Sequence, residues 1–152
     1  MKHGQRIYLD VCCLNRPFDD QGQERVRIEA EAVKSILRLI GTGKWVGIGG
    51  EAVDFEIRKM TDPDRFLEVA ALAATLSEGV TVEEADRQRA LVLESLGFKA
   101  MDAVHLACAE KGRVDVFLTA DDALLRKAAK HAGALRVRVA NPLAWVQEML
   151  HL

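Results

Sequence analysis

The 152-residue chain is 49% hydrophobic and 29% charged, proportions that fit a folded protein with a core and exclude full disorder. Its 21 Lys and Arg against 23 Asp and Glu leave a net charge of −2, which excludes a strongly basic nucleic-acid glove and a polybasic membrane binder. A small net charge does not exclude a nucleic-acid enzyme, because it is silent on where the acids gather. Length predicts one domain over residues 1–152. The three cysteines cannot all pair internally and form no CxxC motif, so the expected setting is a reducing cytoplasm. Met1 to Arg6 leads into a short apolar run without the h-region of a signal peptide, and no later run has the length of a bilayer span.

Ile7-Tyr8-Leu9 reads as a short strand that stops at Asp10. Asn15 to Gly22 is irregular, and a helix then runs from about Glu24. Val26, Val33, Ile36, Leu37 and Ile40 form its apolar face, and Gly41 and Gly43 close it. Trp45 to Ile48 is a second strand, followed by two glycines and a helix from Glu51 to Lys59. Asp62-Pro63 starts another helix, with an acid at the N-cap and proline where no N–H is needed. Val80 to Val82 reads as a brief strand. Thr81 and Glu84 have capping-box spacing for a helix that Gly97 ends. Lys99 to Lys111 is helical, Val114 to Thr119 strand-like, Asp122 to Ala132 helical, and Leu135 to Val139 strand-like again. Arg136 and Arg138 alternate with aliphatic residues there, which marks an edge strand. Asn141-Pro142 caps a last helix reaching about Leu150. Strands alternating with helices predict an α/β domain with a mainly parallel sheet and helices on both faces.

Parallel sheets bind ligands at the carboxyl ends of their strands. Asp10 and Asp121 both follow predicted strands, and Glu56 lies on the helix after the second one. Asp102 sits within an otherwise apolar helix, where an acid is costly unless it is paired or metal-bound. Crowded carboxylates repel unless a cation neutralises them, and Mg²⁺ or Mn²⁺ takes such hard oxygen donors. The pattern therefore points to metal-dependent phosphodiester cleavage. Against it stand plainer roles: Asp122 as the N-cap of its helix, Glu51 at a helix start, and His105 as a packed or hydrogen-bonded core histidine.

Tyr8-Leu9-Asp10, Ala52 to Ile57, Met101-Asp102-Ala103-Val104-His105-Leu106-Ala107 and Phe117 to Asp121 together resemble the four acidic blocks of PIN-domain ribonucleases, in order and approximate spacing. The third and fourth blocks are the most specific. In the second, Glu51, Asp54 and Glu56 compete, and Glu56 is chosen because an aliphatic residue follows it. The resemblance implies a PIN-like three-layer α/β/α fold and a Mg²⁺- or Mn²⁺-dependent endoribonuclease, similar to the toxins of Vap type II toxin–antitoxin modules. It implies that Asp10, Glu56, Asp102 and Asp121 are catalytic and hold the metal, with Thr119 a supporting hydroxyl. It also implies an RNA substrate, an antitoxin partner and a homodimer; the surface near Trp145 and the helix from Glu24 to Ile40 are the candidate contact faces. Cys12 departs from the pattern, since the family commonly has Ser, Thr or Asn there; Asn15 is the candidate substitute. Arg16 and Lys99 are candidate RNA contacts. The alternative reading is a catalytically inactive PIN-like scaffold that binds RNA or protein.

Overall fold

A computed structural model describes residues 4–151; Met1 to His3, with the leader reading made on them, and Leu152 lie outside the described residues. Five strands form one sheet: β1 (Arg6–Leu9), β2 (Val46–Gly50), β3 (Glu78–Val80), β4 (Val116–Leu118) and β5 (Arg138–Ala140). Their order is β3-β2-β1-β4-β5 and all four pairings are parallel, so the sheet is wholly rather than mainly parallel. The helices are α1 (Val11–Asn15), α2 (Glu24–Gly41), α3 (Glu51–Arg58), α4 (Pro63–Ala73), α5 (Glu84–Ser95), α6 (Ala100–Lys111), α7 (Asp122–Lys130) and α8 (Pro142–Leu150).

From β1 the chain winds outward through β2 to β3, then crosses back to β4 and continues to β5. With the right-handed crossovers that parallel strands adopt as a rule, this order places α1 to α4 on one face of the sheet and α5 to α7 on the other. The winding reverses between β1 and β4, and this opens a crevice beyond their carboxyl ends. β1 is the central strand, and Ile7, Tyr8 and Leu9 are all buried. Burying each such side chain stabilises the fold by about 2 kcal/mol. Ile7 pairs with Gly47 on one side and Val116 on the other, and Tyr8 with Ile48 and Phe117.

β2 turns into α3 through Gly50, whose φ of +124° suits only glycine; a Cβ there would lie 2.3 Å from the Val80 backbone nitrogen. That turn sets the start of the helix carrying Glu56. Asp62 caps α4 as its sequence predicts, accepting from the Asp64 and Arg65 amides. The capping box of α5 is Glu83 with Asp86, not Thr81 with Glu84. Lys111 draws the Thr81 carbonyl, Glu83 and Asp86 to one ammonium, which starts the helix two residues later. The strand before it, by contrast, comes earlier than Val80 to Val82, at Glu78 to Val80, where Ile48 and Gly50 supply the pairing register. The last strand is at the edge as expected, but it is Arg138–Ala140 rather than Leu135 to Val139, so Leu135, Arg136 and Val137 precede it.

Trp145 departs from its expected surface role. It is buried and packs on Trp45 with ring centroids 4.9 Å apart, joining α8 to the core. The large apolar residues left exposed are Phe55, Leu67, Leu91 and Val92.

Candidate metal centre

Asp10 is the first residue beyond β1, and its amide donates to the Leu118 carbonyl at 2.9 Å, which ties it to the end of β4. Asp10 is only 6% exposed. Thr119, fully buried just past β4, donates its hydroxyl to Asp10 Oδ2 at 2.8 Å. The same Oγ1 accepts the Asp121 amide at 3.1 Å. Asp121 is the N-cap of α7: its Oδ1 accepts from the Ala123 and Leu124 amides at 2.9 and 3.2 Å. This corrects the assignment of the cap to Asp122. Asp122 is already helical, and Arg25 holds it with two bonds of 2.7 and 2.8 Å. Capping occupies one Asp121 oxygen and leaves the other.

Glu56 on α3 meets His105 on α6, with Oε1 and Nε2 2.8 Å apart. The opposite ring nitrogen, Nδ1, lies 2.5 Å from the Tyr8 hydroxyl. Asp10, Glu56 and His105 each present one ligand atom, and the three atoms lie within 4.8 Å of one another. The rival acids of that block are elsewhere: Glu51 accepts the Val82 amide at 3.2 Å, and Asp54 is exposed. His105 is indeed buried and hydrogen-bonded, yet it lies inside the acidic cluster rather than apart from it.

The carboxylates perturb one another. Burial raises the Asp10 pKa above the usual range and Glu56 adds to the rise, while His105, Thr119 and Cys12 oppose it. Asp102, in the first turn of α6, is pushed from 3.8 up to about 6 by burial and by the charges of Asp10 and Asp121. Asp102 therefore feels both acids that follow the central strands. A divalent cation would relieve this repulsion. The donors fit a hard ion: carboxylate oxygens predominate, and both nitrogens of the one imidazole are already hydrogen-bonded.

Two expected helpers stand differently. Asn15 does not reach Asp10: its amide donates to the Val11 carbonyl and its oxygen accepts from Arg65. It sits one turn further along α1 and faces α4. Cys12 itself takes the supporting position, its thiol donating to Asp10 Oδ2 at 3.4 Å and its sulfur accepting the Ala120 amide at 3.4 Å. A thiol is a weak donor, so this bond is longer and softer than a hydroxyl's. Arg16 is not free for RNA, because Glu29 and Asp19 pair with it at 2.9 and 3.1 Å. Lys99 is exposed at the start of α6, where its charge lowers the Asp102 pKa. Sequence reasoning gave no role to Glu29, a buried acid gripped by Arg16, Arg25 and Asn141. Its position among polar residues of an amphipathic helix gave no signal of that burial.

No family model and no curated protein matches the sequence. Among solved structures the chain is similar to one in the crystal structure of FitAcB from Neisseria gonorrhoeae. The two share 17% identity and a TM-score of 0.53 over 90% of this chain and 97% of that one. The fold the two share is an α/β fold with a central parallel sheet. At this identity the likeness concerns architecture, and chemistry has to be argued from the side chains. No helix among the described residues is long and apolar enough to cross a membrane.

Proposed function

We propose that this chain, as one domain, is a Mg²⁺- or Mn²⁺-dependent endoribonuclease, the toxin of a type II toxin–antitoxin module. The observation that carries this reading is the meeting of Asp10 and Glu56 at the strand crossover, with Asp102 raised in pKa by Asp10 and Asp121. Asp10, Glu56, Asp102 and Asp121 would hold the cation. When bound, it supplies an activated water and stabilises the charge of the phosphoryl transition state. Thr119 and Cys12 orient Asp10. The cap bonds fix one oxygen of Asp121 and leave the other for the cation. Lys99, exposed at the start of α6, would meet an RNA phosphate.

The same reading includes an antitoxin partner, a homodimer and a cytoplasmic location. Light scattering on the purified protein measures the dimer, and co-purification with the product of an adjacent small reading frame measures the antitoxin. The decisive experiment is cleavage of RNA by the purified protein in Mn²⁺, beside Asp102→Asn and a chelator control. Cleavage by the native protein that the variant and the chelator both abolish supports the reading. Equal cleavage by native and variant proteins, or none by either, would reject it.

A further inference from the structure

We propose that Tyr8 fixes His105 as the Nε2–H tautomer, and that His105 is thereby a positioning residue for Glu56 rather than a metal ligand. The Tyr8 ring is fully buried, stacked on Phe117 of the neighbouring strand with centroids 5.2 Å apart and planes 9° from parallel. Its hydroxyl lies 2.5 Å from His105 Nδ1, and His105 Nε2 lies 2.8 Å from Glu56 Oε1. The three groups form one chain from the middle of the central strand to the carboxylate cluster.

With a neutral imidazole, one arrangement of protons gives every member its partner. The Tyr8 phenol is an O–H donor in its ordinary form, and, buried in the core, its hydrogen needs an acceptor. That hydrogen goes to Nδ1, which must then offer a lone pair. Nε2 carries the ring hydrogen and donates it to Glu56 Oε1. The reverse tautomer would strand the phenol hydrogen and turn the Nε2 lone pair toward a carboxylate. With both nitrogens engaged, the imidazole has no lone pair to give a cation, although its atoms lie within ligand range of Asp10 and Glu56. Its work is to hold Oε1 of a side chain that is otherwise partly exposed, leaving Oε2 for the cation. Outer partners of this type change metal affinity about 10- to 100-fold when removed.

The effect on the cation rests on the ribonuclease reading above, whereas the tautomer does not. Nitrogen NMR of the ¹⁵N-histidine protein in chelator tests the tautomer directly. The expected spectrum gives His105 one pyridine-type nitrogen at Nδ1 and one pyrrole-type nitrogen at Nε2, and Tyr8→Phe loses that pattern. Two pyrrole-type nitrogens, or a pyridine-type Nε2, would overturn the proposal whether or not RNA is cleaved. Calorimetry with Mn²⁺ then compares His105→Gln, whose amide can still donate toward Glu56, with His105→Leu. The glutamine should bind within about threefold of the native protein and the leucine about 10- to 100-fold more weakly. Pulsed electron paramagnetic resonance of the Mn²⁺-loaded native protein should show no directly bound nitrogen. A bound imidazole nitrogen, or equal losses in both variants, would overturn the positioning role. If native protein binds no Mn²⁺, the ribonuclease reading and the cation role fall together, and the tautomer is decided by its own spectrum.

Discussion

Replacing Asp102 by asparagine removes a negative charge while keeping the shape of the side chain. In the folded protein the Asp102 pKa rises from 3.8 to about 6, through burial and the charges of Asp10 and Asp121. At 1.36 kcal/mol per unit, the full shift corresponds to about 3 kcal/mol against the ionised form. Asp102 keeps partial contact with water, so roughly half of that, about 1.5 kcal/mol, is the expected destabilisation. An acid with a raised folded-state pKa binds more protons folded than unfolded. The penalty is therefore absent below about pH 3.8, grows as pH climbs toward 6, and is complete above it. Asp102→Asn should raise Tm by about 3–6 °C at pH 7.5 in chelator, for a chain of this length. The gain should nearly vanish at pH 4. Thermal unfolding followed by circular dichroism at both pH values measures it. Added Mn²⁺ should raise the native Tm more than the variant's, because the cation and the substitution relieve the same repulsion. A variant melting at or below the native protein at pH 7.5, or gaining equally at both pH values, would refute the reasoning.

Three further outcomes follow from the geometry. Thr119→Val keeps the volume but removes the donor to Asp10 Oδ2 and the acceptor of the Asp121 amide; urea unfolding should show a loss of about 1–3 kcal/mol that Thr119→Ser largely restores. Gly50→Ala would force a Cβ to within 2.3 Å of the Val80 backbone at a φ of +124°, and should cost about 3 kcal/mol or more in the same assay. Glu29→Ala would leave Arg16, Arg25 and the Asn141 amide without their shared acceptor; a loss of about 2–3 kcal/mol is expected, because both arginines can turn to solvent.

The acids that follow strands were legible because β-prone runs ending at Leu9 and Thr119 announce where a parallel sheet presents its carboxyl ends. Asp102 was legible for a different reason, as the one acid in an apolar helical turn. The rest needed three-dimensional contacts between distant residues. Asp121 rather than Asp122 caps α7 because the Thr119 hydroxyl draws the Asp121 amide inward, a bond that no local spacing encodes. Asn15 was misassigned because the five-residue helix α1 turns it toward Arg65. The Trp145 side chain reads as a surface anchor on a terminal helix until Trp45, a hundred positions earlier, is seen to receive it. Tyr8 looked like an ordinary strand residue, and only the crossing of α6 over β1 reveals what its hydroxyl meets.

The strand order also sets when the site can come into being. β1 is made first, but its partner on one side, β4, begins at Val116, after more than two thirds of the chain has been synthesised. Until then Asp10 lacks both the Leu118 carbonyl that anchors its amide and the Thr119 hydroxyl that holds its carboxylate. A chain truncated before β4 consequently carries the first acid without the frame that orients it. Assembly of the carboxylate cluster thus waits on the parallel pairing of β1 with β4, strands distant in sequence, a kind of contact that is slow to close.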